Sequence, residues 1–173
     1  MWVKNKQQSG FTIVELLIVI VVIGILATIT IVSFSGVQVK ARDTVRINDL
    51  KTIQRYVEAY NAMNGSYPLP ADGIGAWSGN CTVFGAKTDY ISNITTVTQS
   101  KMPLEAKFKS TDNKCYLYQS NGTDYMILGW NIMEGICGGD PGNACNSADI
   151  RALDRVSAVE LSIALYSPGA RLW

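Results

Sequence analysis

"SGFTIVELLIVIVVIGILATITIVSF", residues 9–34, is the stretch that decides the fold. From Phe11 to Phe34 it runs 24 residues with a single charge, Glu15. A helix of about 20 apolar residues crosses the hydrocarbon core of a bilayer, so the run reads as a membrane-spanning helix. Lys4 and Lys6 precede it, and a basic flank before an apolar run keeps that flank cytoplasmic. Ala27-Thr28-Ile29 is a poor cleavage site for a conventional secretory signal. A carboxylate within a span is costly and marks function, so Glu15 is the residue to explain. Its bland reading is an ordinary anchor whose one carboxylate snorkels to the interface or takes up a proton.

The helical pattern continues past Phe34. Ile47, Leu50, Ile53, Val57 and Tyr60 recur at steps of three and four, which is one face of a helix. Lys40, Arg42, Asp43, Arg46, Asp49, Lys51, Arg55 and Glu58 fill the remaining faces. No proline occurs before Pro68, and Asn64-Gly65 is a dipeptide suited to a left-handed helix end. The spacing predicts one helix from about Thr12 to Met63, roughly 80 Å at 1.5 Å per residue. Its first half has no soluble core to face, and its second half offers a stripe to the rest of the chain.

The remainder, residues 65–173, is rich in Gly, Ser, Thr, Asn and aromatics. Lys114–Ser120 and Tyr125–Asn131 read as a hairpin around Asn121-Gly122. "DYISNITTVTQ", residues 89–99, reads as a further strand. The tail 147–166 supports two readings. Ala152, Val156, Val159, Ile163 and Tyr166 make a helix face, which is the favoured one, whereas Val159, Leu161, Ile163 and Leu165 alternate like a strand. The fold class expected is α+β, a long N-terminal helix with a C-terminal antiparallel sheet.

With 173 residues the chain has room for one domain with a core plus an anchor. Lys+Arg is 15 and Asp+Glu is 14, so no overall basic field points to nucleic acid or a membrane surface. Histidine is absent, which removes the commonest general base and metal ligand; neither an enzyme nor a cofactor is expected. Cys81, Cys115, Cys137 and Cys145 lie beyond the apolar run, none in a Cys-x-x-Cys pair, and suggest two disulfides in an oxidising compartment. Four cysteines allow three pairings. Cys81–Cys115 with Cys137–Cys145 is favoured because the second closes a short Gly-rich loop. Within and after that loop Asp140, Asn143, Asn146 and Asp149 supply hard oxygens of the kind calcium takes, although a disulfide-closed polar loop with turn residues is the favoured reading. Lys101, Lys107, Lys109 and Lys114 near Tyr116 and Tyr118 sketch a single-strand nucleic-acid surface; a solvated face is the plainer reading.

The residues Gly10, Phe11, Thr12, Glu15 and Gly24, behind a short Lys-containing leader, resemble the N-terminus of type IV pilins and of the pilin-like subunits of type II secretion and competence systems. "YNAMNGSYP", residues 60–68, is similar to the end of that family's long helix. The resemblance covers residues 1 to about 68. It implies residues 1–10 as a leader removed by a prepilin peptidase after Gly10, with methylation of the new Phe11 amine. It implies 11–34 as membrane and polymerisation helix, 35–64 as its amphipathic continuation and 65–173 as a disulfide-containing domain. Thr12, Glu15 and Gly24 become assembly residues, with Glu15 paired to the amine of a neighbouring subunit. The Cys137–Asp149 segment is loosely similar to the calcium loop of major pseudopilins.

The implied function is a type IV pilus subunit serving adhesion, twitching motility or DNA uptake. The alternatives are a pseudopilin of a type II secretion or competence system, and a non-polymerising membrane-anchored adhesin. Implied partners are further copies and minor pilins, the peptidase, the assembly platform with its ATPase, the membrane before assembly, and host-surface or DNA contacts. The implied location is the inner or cytoplasmic membrane with the C-terminal domain outside, then an extracellular pilus. One departure stands out: Val32 occupies a position where many members of the family have proline. Gly24 with Thr28 and Thr30 offers another soft point, since glycine costs a helix about 1 kcal/mol.

Overall fold

A computed structural model describes residues 10–98, 101–104, 110–112, 114–134 and 162–172. One helix, α1, runs over Ile13–Asn64 and passes through Val32 without interruption. It ends where the sequence predicts. Gly65 takes a left-handed φ of 73° and its N–H bonds the Asn61 carbonyl at 2.8 Å, while the Asn64 side chain donates to the Tyr60 carbonyl at 2.9 Å. A glycine in that conformation is the common helix terminator. The chain divides into two compact units, Met1–Gln38 and Val39–Trp173.

In the second unit the strands are β1 (Ser78–Gly79), β2 (Cys115–Ser120), β3 (Tyr125–Trp130) and β4 (Ile163–Tyr166). They form one antiparallel sheet in that order. The β2–β3 register pairs Ser120 with Tyr125 and Cys115 with Trp130. The hairpin loop is set by Asn121, whose side-chain oxygen accepts the N–H groups of Thr123 and Asp124 at 2.9 and 2.8 Å, and by Gly122 at φ 89°.

Strand side chains alternate between faces, and both faces are covered. Tyr116, Tyr118, Tyr125, Ile127, Ile163 and Leu165 join Leu50, Ile53 and Val57 of α1 in the main core. Leu117, Met126, Leu128 and Ala164 form a second cluster with Cys81 and Cys115, half-covered by Trp77, Phe84, Trp130 and Tyr166. The buried phenols find partners. Tyr116 donates to Asp49 at 2.9 Å, Tyr118 to the Pro68 carbonyl at 2.8 Å and Tyr125 to Glu58 at 2.7 Å. Burial raises the pKa of Tyr90, Tyr118 and Tyr125 above the ordinary tyrosine value, so they stay donors.

Three expectations are corrected. Residues 89–98 are not a strand: Asn93 turns left-handed at φ 57° and starts a 3₁₀ turn over Ile94–Thr96. Only Ile91 bridges, to Pro70, and the buried Tyr90, Ile91 and Ile94 do not follow a period of two. The end of the tail is strand β4 rather than helix, because Ile163 and Leu165 face the core and ladder bonds to β3 satisfy the backbone; residues 147–161 lie outside the described ones. Finally, Asp43 and Arg46, expected on the faces away from the apolar stripe, are both buried.

Candidate functional site

The first turn of α1 is built by the sequence Thr12-Ile13-Val14-Glu15. The Glu15 N–H donates to the Thr12 hydroxyl oxygen at 3.3 Å. In return Glu15 Oε2 accepts the Thr12 N–H at 2.9 Å and the Thr12 hydroxyl at 2.8 Å. This reciprocal arrangement is a capping box, which satisfies two helix-end donors at once. The carboxylate also lies at the positive end of the helix dipole. The T-x-x-E spacing of Thr12 and Glu15 ahead of an apolar run is its sequence signal.

Gly10 and Phe11 stand outside the helix and are exposed, Phe11 at 85%. Among the described residues, nothing beyond its chain neighbours lies within 4 Å of a side-chain position at Gly10. Their peptide bond is therefore in open, non-helical backbone, the setting in which chains are cut.

Beyond the cap, Ile13–Thr30 has a mean hydropathy of 2.9 and is long and apolar enough to span a membrane. Leucine, isoleucine and valine side chains from Ile13 to Ile29 are exposed around the helix. The polar groups in this run are satisfied internally. The Thr28 hydroxyl donates to the Gly24 carbonyl at 2.8 Å, and that of Thr30 to the Leu26 carbonyl at 2.7 Å. Internal satisfaction is what an apolar solvent demands, and such back-bonds loosen a helix slightly. Gly24 and Thr28 thus meet at one point of the helix.

In the second unit Cys81 and Cys115 are joined in a disulfide with their Cα atoms 5.5 Å apart. It ties the segment after β1 to the first residue of β2, within the outer core cluster. Cys137 and Cys145, and the calcium candidates Asp140, Asn143, Asn146 and Asp149, lie outside the described residues. Among the described residues no group of three or more His, Cys, Asp or Glu is placed to hold a metal. The nucleic-acid surface loses its aromatics, because Tyr116 and Tyr118 are buried in the main core; Lys107 and Lys109 are not among the described residues.

A charged cluster that the sequence analysis missed lies on α1. Arg46 bonds Asp43 at 2.8 Å and Glu134 at 2.7 Å. Arg42 grips Glu134 with two hydrogen bonds, at 3.0 and 2.6 Å, which raise its pKa above the ordinary arginine value. Asp43-x-x-Arg46 was the available signal, since the i, i+3 spacing places the two side by side. Nothing local announces Glu134.

A family profile described as "Prokaryotic N-terminal methylation motif" matches residues 5–31. The chain carries a prokaryotic N-terminal methylation motif. The chain is also similar to type II secretion system core protein G of Pseudomonas aeruginosa, 34% identical over 73 residues. The same-named protein of Aeromonas hydrophila is 32% identical over 73 residues. Each match covers 42% of this chain and 51% of the relative. The protein of that name in Escherichia coli (strain K12) is 31% identical over 70 residues, 40% of this chain and 48% of its own. The chain thus spans about half the length of the curated relatives it matches. No solved structure matches. The matched segment takes in Gly10, Phe11, Thr12, Glu15 and Gly24 together.

Proposed function

We propose that this protein is a non-catalytic, membrane-anchored subunit of a pilin-like assembly of the type II secretion kind. The observation that carries the reading is the prepilin-type N-terminus in a chain whose relatives bear the name type II secretion system core protein G. That support favours the secretion alternative over a surface type IV pilus, so adhesion, motility and DNA uptake give way to a filament that serves export.

In this reading the open backbone at Gly10–Phe11 is the cleavage site, and Phe11 becomes the methylated first residue. Before assembly, lipid covers the apolar side chains of residues 11–34. After it, copies of the same segment do, because removing that surface from water or lipid mismatch needs a continuous apolar cover. Glu15 then has two successive partners. Its own Thr12 cap holds it in the single chain, and the amine released at Phe11 of a neighbour replaces that cap in the polymer. Joining the two charges lifts the penalty that each carries alone in a low-dielectric setting. The assembly platform, its ATPase and the prepilin peptidase are the partners this route requires.

The test is co-production with a type II secretion assembly system, followed by shearing and electron microscopy. Fibres that contain this chain are expected. Glu15→Gln should be cut and methylated normally yet yield few fibres. A chain that stays monomeric in the membrane under the same conditions sinks the reading, and abundant fibres from the variant sink the Glu15 pairing.

A further inference from the structure

The stripe that α1 buries is not apolar throughout. Asp43 is fully buried and Arg46 is 2% exposed, and they continue the face of Leu50, Ile53 and Val57 at steps of three and four. Those aliphatic positions are nearly interchangeable. A slip of α1 by one turn, about 5.4 Å, would exchange one aliphatic side chain for the next in each socket of the sheet, and cores tolerate such swaps when volume is kept.

The charged positions are not interchangeable. Asp43 accepts the Glu134 backbone N–H at 2.9 and 3.2 Å as well as the Arg46 guanidinium at 2.8 Å. Arg46 and Arg42 converge on the Glu134 carboxylate. Among the described residues, two cations and two anions meet in this one placement. The acceptor is itself fixed. Asn131 turns left-handed at φ 52° after β3, Ile132 and Met133 are buried, and Ile132 lies so close over Gly129 that a side chain there would meet it at 2.6 Å. Glu134 therefore does not travel with a sliding helix. A one-turn slip would push Arg46 into an aliphatic socket or draw it away from Glu134, leaving a buried charge unmatched, which is the expensive outcome.

We propose that Asp43, Arg46 and Glu134, with Arg42 at the rim, form a register pin that selects one axial position of α1 residues 39–64 on the sheet and adds little to net stability. A single polar residue in an apolar seam sets the register of coiled coils by the same logic. The pin does not depend on polymerisation. It would act in a lone chain, and it would give every copy the same offset between α1 and its sheet.

The experiment compares two variants of the full chain in detergent micelles by thermal melting and amide NMR. Glu134→Gln takes an anion from the buried Arg46 and should lower the folding equilibrium constant about a hundredfold or more. The joint replacement Asp43→Leu, Arg46→Met, Glu134→Leu should melt at or above the wild-type temperature, yet show doubled or broadened amide signals at Leu50, Ile53 and Val57. A joint variant with one sharp signal set at wild-type positions would show that packing alone sets the register. A joint variant that unfolds, or melts as low as Glu134→Gln, would make the cluster a stabilising element instead. Wild-type melting of Glu134→Gln would also overturn the pin.

Discussion

The two units of the chain invert each other. In residues 10–30 the apolar side chains are exposed and the one carboxylate is held by its own helix end. In the second unit the apolar side chains are enclosed, and charges as strong as Arg46 and Asp43 are buried with them. The first unit makes its own backbone bonds and leaves its apolar side chains from Ile13 to Ile29 exposed. The second encloses its apolar side chains. The difference teaches what each unit supplies for itself: helix hydrogen bonds alone in the first, and a cross-link, close contacts and ion pairs as well in the second.

The largest effect that would sharpen this contrast comes from the disulfide. Cys81 and Cys115 are 34 residues apart, and a cross-link closing such a loop contributes about 4 kcal/mol in the chain-entropy account. Cys81→Ser should lower the melting temperature of the second unit strongly and leave the far-ultraviolet signal of the α1 apolar run in micelles intact. Equal loss in both would break the division.

Next comes Gly79→Ala. An added methyl would lie 2.3 Å from Leu117 Cδ2 and 2.8 Å from the Tyr116 carbonyl oxygen, where β1 pairs with β2. Overpacking of this kind costs about 1–3 kcal/mol, measurable by thermal melting. An unchanged midpoint would mean that the β1 edge does not pack tightly. In the first unit the largest local effect is smaller. Thr12→Ala removes the cap and should cost the helix about 1 kcal/mol. Hydrogen exchange should rise in the first turn only, while Leu50 and Ile53 stay protected.

The smallest effect is a pH dependence confined to the second unit. Hydrogen bonds from Lys87, then Ser78, hold the Asp72 carboxyl below its ordinary pKa. A carboxylate with a lowered folded pKa stabilises the fold fully above its unfolded value, about 3.9, and loses that contribution as pH falls through the folded value. Being exposed, Asp72 should give only a shallow acid limb in melting temperature. Asp72→Asn should flatten it. An acid limb of undiminished slope would assign it to other groups.

Much of this contrast was legible in the sequence. A 24-residue apolar run, a three-and-four stripe and Asn64-Gly65 fix α1 because each is a local signal. The β2–β3 hairpin was legible for the same reason. The failures came where distant residues decide. Asp43 and Arg46 carry no local sign of burial; Glu134, 88 residues beyond Arg46, supplies a carboxylate to Arg46 and its backbone N–H to Asp43. Ile163–Tyr166 carries both periods, and only β3 selects the strand. At the candidate site the deciding signal is local instead: the T-x-x-E spacing of Thr12 and Glu15 is that of a capping box.

The central claim is that the exposed apolar run is an anchor first and an assembly segment after processing at Gly10–Phe11. Intact-mass and N-terminal analysis of the membrane-bound protein, produced with a prepilin peptidase, tests it most directly. The account predicts a chain that begins at Phe11 and carries one added methyl group on its amine. A chain that begins at any other residue, or retains residues 1–10 under those conditions, would contradict it.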